Sequence, residues 1–357
     1  MSTALKLKPH IGAVSAVVPP LGVLQDEAND FIKNNFSEKL SARSLNIFSK
    51  VLKHPSVLKR YFAMDNLETV LNENADKKIK RFTDSAVALS KKAIIKSLES
   101  SGLEAKDITG LVVNTCTGYI CPGLSTYLIE ELGLDRNIKA YDLVGTGCGG
   151  AIPNMQVSEG VLNGAENNIV LSVSVEICSS TFQVSNDTSQ IISNSIFGDG
   201  AAATVLWNRP KGLRVIGSES LYLPEYREDI RFIHKDGQLH NQLSSRLPEI
   251  AGAEVSKFIN SVLAKYGLKK SDINHWILHP GGEKVINSLK DKLELSEEQV
   301  APTRAVLSKF GNMSSPTVLF ILQDILDKGI KNGDYFLITA FGAGFSGHVS
   351  ILQAVNN

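Results

Sequence analysis

The sequence predicts an α/β fold made of two similar halves related by a pseudo-twofold axis. Three observations lead there. Short apolar runs alternate with amphipathic stretches of helical period, the pattern of layered strands and helices. Three features of the first half then recur in order in the second. A strand around Val112, a glycine-rich corner at Cys148 and a strand at 169–173 match a strand around Ile277, a glycine-containing corner at Asn312 and a strand at 335–339. The separations agree: 36 residues from Val112 to Cys148 against 35 from Ile277 to Asn312, and 22 from Cys148 to Val170 against 24 from Asn312 to Phe336. Lastly, both halves end alike, with Gly-Asp-Gly-Ala-Ala-Ala-Thr-Val-Leu at 198–206 and Gly-Ala-Gly-Phe-Ser-Gly-His-Val-Ser-Ile at 342–351. The join falls near 208–212, which divides the chain into 1–210 and 211–357.

Along the chain, the apolar run 11–18 reads as a first strand. It is too short for a bilayer span, which needs about 20 residues, and it lacks the small-residue cleavage pattern of a signal peptide. Residues 27–71 read as helical, interrupted near Pro55. The stretch 84–100 is an amphipathic helix with Val87, Ala88, Ile94, Ile95 and Leu98 at helical spacing. Strands follow at 108–114, 140–144 and 169–175, and helices at 124–132 and 151–162. No stretch is long and apolar enough to cross a membrane, so a cytoplasmic location is expected.

Basic and acidic residues balance at 37 each, so no charge excess suggests a nucleic-acid footprint. Lys53, Lys59 and Arg60 make a local basic spot that suits either a phosphate-bearing ligand or a solvated face. The cysteines are Cys116, Cys121, Cys148 and Cys178. Without a secretory signal they suit a reducing compartment. No C-x-x-C pair occurs, so no metal site is expected. Cys116 and Cys178 read as core residues.

Cys148 is different. In Gly-Thr-Gly-Cys-Gly-Gly-Ala, residues 145–151, a strand runs through a glycine turn into a helix with Pro153 in its first turn. This is the plan of a nucleophile elbow with sulfur in place of hydroxyl. Partial positive charge at the helix N-terminus favours thiolate, and a nearby imidazolium would lower the thiol pKa further. His279 follows a strand and precedes Pro280-Gly281-Gly282, at a strand end where chemistry concentrates in α/β sheets. His275 lies on the strand itself, where its spacing from His279 does not suit a metal. Asn312 occupies the position of Cys148 in the repeat, with Ser314 or Ser315 placed to cap the next helix and Pro316 in its first turn. If the halves pack about a twofold, these two corners meet. The other reading of Asn312 is a turn asparagine.

The set Gly147-Cys-Gly-Gly, Phe197-Gly-Asp-Gly-Ala-Ala, His279-Pro-Gly-Gly and Gly311-Asn-Met-Ser-Ser resembles chalcone synthases and other type III polyketide synthases over residues 14–352. That resemblance implies a thiolase-like fold in αβαβα layers, a homodimer, and a Cys148–His279–Asn312 triad. It implies Phe197 as gatekeeper between a CoA tunnel and a cavity. Lys59, with Arg60 beside it, would hold CoA phosphates. Thr117, Cys121, Cys178, Thr181 and Ser314 would line the cavity, with Cys121 on a segment that reaches the partner subunit. The substrates implied are an acyl-CoA starter and malonyl-CoA, with no cofactor and no metal.

The sequence departs from plant members at Cys121 (Met there), at Cys178 (Thr there), near His240, where a second gatekeeping phenylalanine is expected, and in the loop 340–344. The smaller Cys121 suggests room for a longer acyl chain and a microbial-type product such as an alkylpyrone or alkylresorcinol. Two alternatives share the motifs: a ketoacyl-ACP synthase III that condenses once, and a non-catalytic binding subunit on the same fold.

Overall fold

The computed structural model describes residues 8–164 and 167–355. The first half contains β1 (His10–Val17), β2 (Leu21–Leu24), α1 (Gln25–Phe36), α2 (Ala42–Leu52), β3 (Lys59–Phe62), α3 (Ala75–Ser101), β4 (Gly110–Asn114), α4 (Leu124–Leu132), β5 (Lys139–Leu143), α5 (Ala151–Leu162), β6 (Ile169–Glu176), α6 (Thr188–Ile196) and β7 (Gly200–Trp207). The second half contains β8 (Gly212–Tyr222), β9 (Ile230–Lys235), β10 (Gln238–Leu243), α7 (Leu247–Ile250), α8 (Ser256–Lys265), β11 (Ile273–Leu278), α9 (Glu283–Leu293), α10 (Glu297–Phe310), α11 (Thr317–Asp327), β12 (Tyr335–Gly342) and β13 (Ser346–Val355).

The main strands run in the order β11-β12-β13-β8-β1-β7-β6-β4-β5. The order is nearly palindromic about the β8–β1 pair: β7, β6 and β4 on one side answer β13, β12 and β11 on the other. Each half thus repeats one wiring, as the recurring motifs require. The strands β4, β6 and β7 are buried at every position, the mark of a sheet covered on both faces.

What covers the inner faces is α5 and α11. The helix α11 (TVLFILQDILD) is apolar on nearly all sides, which suits a helix with no solvent face. One core cluster joins Ile152 and Met155 of α5 and Leu319 and Ile321 of α11 to strand residues of both halves, among them Ala202 and Ile338. Outside the first half-sheet lies α3, packed on β1, β6 and β7. Outside the second lie α8 and α9, whose Ile259, Ile286 and Leu289 share a core with Leu337 and Ile351. This is the αβαβα layering.

Two expectations are corrected. The helical reading of 27–71 fails after α2: β3 is a strand antiparallel to β2, with Leu21 opposite Phe62 and Leu24 opposite Lys59. The pairing partner is distant in sequence, so local periodicity cannot show it. The amphipathic helix at 84–100 begins earlier, at Ala75, because Asn74 caps it by accepting from the Lys77 N–H at 2.9 Å.

Candidate active site

The strand ends converge where the half-sheets face each other. Cys148 sits in a 3₁₀ turn, Gly147–Gly149, that runs into α5. The glycines are required by geometry. Gly147 has φ 57°, and a Cβ there would lie 2.9 Å from the Ala343 nitrogen. A Cβ on Gly150 would lie 2.5 Å from Asn114 Nδ2. From the other half, Gly342 at the end of β12 lies so close that its Cβ would stand 3.0 Å from the Cys148 nitrogen.

Asn312 lies between α10 and α11. Its N–H donates to the Ile196 carbonyl at 2.9 Å and its carbonyl accepts from the Gly198 N–H at 3.0 Å. These bonds bracket Phe197, so Asn312 and Phe197 are held side by side. The Asn312 Oδ1 accepts from the Ser314 N–H at 2.8 Å. Ser314 adopts φ 60°, and its hydroxyl donates to Cys148 Sγ at 3.2 Å. The same hydroxyl lies 3.4 Å from Cys116 Sγ. The sequence places Ser314 or Ser315 as the cap of α11, but neither caps it; Ser315 instead donates to Glu176 at 2.6 Å.

His279 follows β11 and is 1% exposed. Its N–H donates to the Thr339 carbonyl at 2.9 Å, and its ring meets Phe341 edge-on at 5.3 Å. Its buried Nδ1 has no hydrogen-bond partner among the described residues. Phe341 is followed by Gly342, so His279 and the Cys148 turn pack on adjacent residues of one strand.

Burial sets the resting charge states. It pushes the Cys148 thiol up to about 12, opposed by the Ser314 hydrogen bond and reinforced by Glu176. It pushes His279 down to about 3. Desolvation penalises each charge taken singly and so acts against the thiolate that the helix terminus favours.

The cavity in front of the sulfur has a volume of about 100 Å³ and is lined by Thr117, Cys178, Thr181, Phe197 and Ser314. These five predicted residues are thus brought together with Cys148. The others are not. Cys121 is exposed and faces neither this cavity nor the adjoining cleft. Lys59 lies outside it, with Nζ 4.8 Å over the Tyr61 ring. Arg60 does reach the wall, but as a structural cation: it is 4% exposed, and it donates to Gln25 Oε1 at 2.7 Å and to the Asn194 and Phe197 carbonyls at 2.7 and 2.8 Å. Its Nε and Nη1 are thus held within the protein. His240 pairs with Gln190 and stays off the cavity; Phe232 and Asn241 line it instead.

Two residues escaped the sequence reading. Cys116 lines both the cavity and the cleft. Glu176 is fully buried and accepts from the Cys116 and Thr117 N–H groups and the Thr115, Thr117 and Ser315 hydroxyls. It ties the segment after β4 to the segment before α11. Burial raises its pKa, and the hydrogen bonds from Ser315, Cys116 and Thr117 act the other way. The repeat held the signal: β4 corresponds to β11, so Thr115 to Thr117 corresponds to the segment starting at His279.

A cysteine at a helix start between two pseudo-symmetric half-sheets, opening on an apolar cavity, defines a condensing enzyme of the thiolase-like fold. Residues 215–356 match the chalcone and stilbene synthase C-terminal domain, and residues 26–215 match the FAE1/type III polyketide synthase-like proteins. The chain belongs to the type III polyketide synthase family and is an acyltransferase that condenses CoA thioesters. It is 30% identical to a 3,5-dihydroxyphenylacetyl-CoA synthase of Streptomyces toyocaensis over 301 residues, covering 81% of this chain and 77% of that protein. It is 28% identical to a 1,3,6,8-tetrahydroxynaphthalene synthase of Streptomyces peucetius subsp. caesius over 274 residues, 75% of this chain and 73% of that one. The fold matches PKS-I of the brown alga Ectocarpus siliculosus with a TM-score of 0.90 at 24% identity, covering 99% and 100% of the two chains. Among the described residues, no helix is long and apolar enough to cross a membrane.

Proposed function

We propose that Cys148, His279 and Asn312 act as one catalytic set that extends an acyl-CoA starter with malonyl-CoA, and that the product closes to a pyrone or a resorcinol- or phloroglucinol-type ring. In loading, Cys148 sulfur bonds to the acyl carbon and the carbon–sulfur bond to CoA breaks. His279 takes the thiol proton and returns it to the departing CoA sulfur. One thioester replaces another, so the exchange is nearly balanced.

Malonyl-CoA then loses carbon dioxide. The electron pair left behind becomes an enolate, whose oxygen accepts from a His279 N–H and the Asn312 side-chain amide. The enolate carbon attacks the acyl-enzyme, and the extended chain returns to Cys148 for each further round. A neutral imidazole suits this role, because donation needs one N–H and no charge. The observation that carries the reading is the link from Asn312 to the sulfur: its amide oxygen is held by the Ser314 N–H, and the Ser314 hydroxyl donates to Cys148 Sγ. The chemistry uses only side chains and CoA thioesters.

A homodimer and a cytoplasmic location belong to the same proposal. The outer strand β5 has an unpaired edge, flanked by exposed Tyr119, Tyr141 and Val144, a template for a second copy. Pure protein given malonyl-CoA and a panel of acyl-CoAs, without carrier protein, is expected to sediment as a dimer and to release products of several extensions. A single extension that requires carrier protein would favour the ketoacyl-ACP synthase III alternative.

A further inference from the structure

The cavity does not end at the sulfur. Besides Gly147 and Cys148 its lining includes Cys178, Ser193, Ala28, Phe31 and Ile32 of α1 and Phe48 and Leu52 of α2. We infer that this arm, beneath α1 and α2, houses the unbranched apolar tail of the acyl group carried on Cys148, which makes long-chain acyl-CoA thioesters the starter class. The inference rests on the polyketide reading above.

Protein interiors are close-packed, and an apolar void leaves its lining without contacts. Such a void stays dry. An apolar arm continuous with a nucleophile calls for an apolar occupant attached at the nucleophile. The chemistry of the wall selects that occupant further. Several of its polar groups are already paired within the protein: Arg60 on the carbonyls of Asn194 and Phe197, the Asn194 amide on the Gln183 carbonyl at 2.8 Å, Ser193 on the Ser189 carbonyl at 2.8 Å, and Thr181 on the Cys178 carbonyl at 2.8 Å. Along α1 and α2 every lining residue is apolar, so a starter bearing hydroxyls or a second carboxylate would find no partner on those helices, and burying it unpaired is costly. A polymethylene chain needs none.

The room lies against α1 and α2 of the first half.

The test is chain-length dependence of loading. The whole protein is incubated with acetyl-, octanoyl-, dodecanoyl- and palmitoyl-CoA, and the mass added at Cys148 is followed by intact-protein and peptide mass spectrometry. Each buried methylene contributes about fourfold in affinity, so half-saturation should fall by well over tenfold from acetyl- to dodecanoyl-CoA. Ala28→Phe, which fills the arm from α1, should remove at least tenfold of that gain for the two longest chains. Phe31→Ala should move the optimum to longer chains. Equal loading of acetyl- and dodecanoyl-CoA by the wild type, or an unmoved profile in both variants, overturns the inference. Loading of short acyl groups alone would sink the inference and spare the polyketide reading. No loading at any length would sink both.

Discussion

His279→Ala should depress acyl loading and malonyl-CoA decarboxylation together, each by at least about 10²-fold, because one ring serves both steps. Loss of one enolate donor typically costs about 10²–10³ in rate, and loss of a general base about 10²–10⁴. Separate assays with acyl-CoA alone and malonyl-CoA alone measure the two losses. A variant that decarboxylates at the wild-type rate would contradict the shared role.

The same variant should alter the pH dependence of alkylation by iodoacetamide, which needs thiolate. A lone thiol pushed up to about 12 gains thiolate about tenfold per pH unit at any lower pH. On the proposed mechanism the proton moves from sulfur to imidazole within the pair, so no net charge changes and that part of the thiolate population is independent of pH between the pair's two titrations. Cys148 labelling should therefore depend less steeply on pH in the wild type than in His279→Ala, where it should rise about tenfold per unit. A wild-type slope of tenfold per unit would show that the imidazole takes no part.

Gly342→Ala should cost about 10² in kcat/KM and lower the unfolding midpoint. An added Cβ would stand 2.4 Å from the Thr146 oxygen, 2.6 Å from the Gly149 nitrogen and 3.0 Å from the Cys148 nitrogen. All three are main chain, so no flexible side chain can give way. The methyl must push the nucleophile turn of one half off the strand end of the other. Overpacking costs typically about 1–3 kcal/mol, and a displacement of about 1 Å in a catalytic group costs about 10² in rate. Steady-state kinetics and denaturant titration read the two effects. Wild-type kcat/KM in this variant would mean that the Cys148 position tolerates a shift the mechanism does not allow.

The Cys148 corner was legible because glycine is a conformational statement: only a tight turn under a close neighbour needs four glycines around one cysteine. The halves were legible because their strands are buried on both faces and so are written as plain apolar runs. The cap was not. Lys59 and Arg60 are adjacent basic residues and look alike in sequence, yet on a strand adjacent residues face opposite ways. Lys59 reaches outward over Tyr61, while Arg60 turns inward to main-chain carbonyls. Telling them apart required knowing that β3 pairs with β2, a contact between distant segments. Cys116 and Glu176 were hidden for a related reason. Neither sits in a glycine-flanked motif, and Glu176 acts through five donors brought together by the fold.

The central claim is that the growing chain is carried on Cys148. Quenching the enzyme during turnover with an acyl-CoA and malonyl-CoA, then mapping adducts by peptide mass spectrometry, tests it most directly. The expected result is a ladder of adducts on the Cys148 peptide, spaced by one two-carbon ketide unit and absent in Cys148→Ala. A ladder on Cys116, or product formed with no adduct on either sulfur, would contradict it.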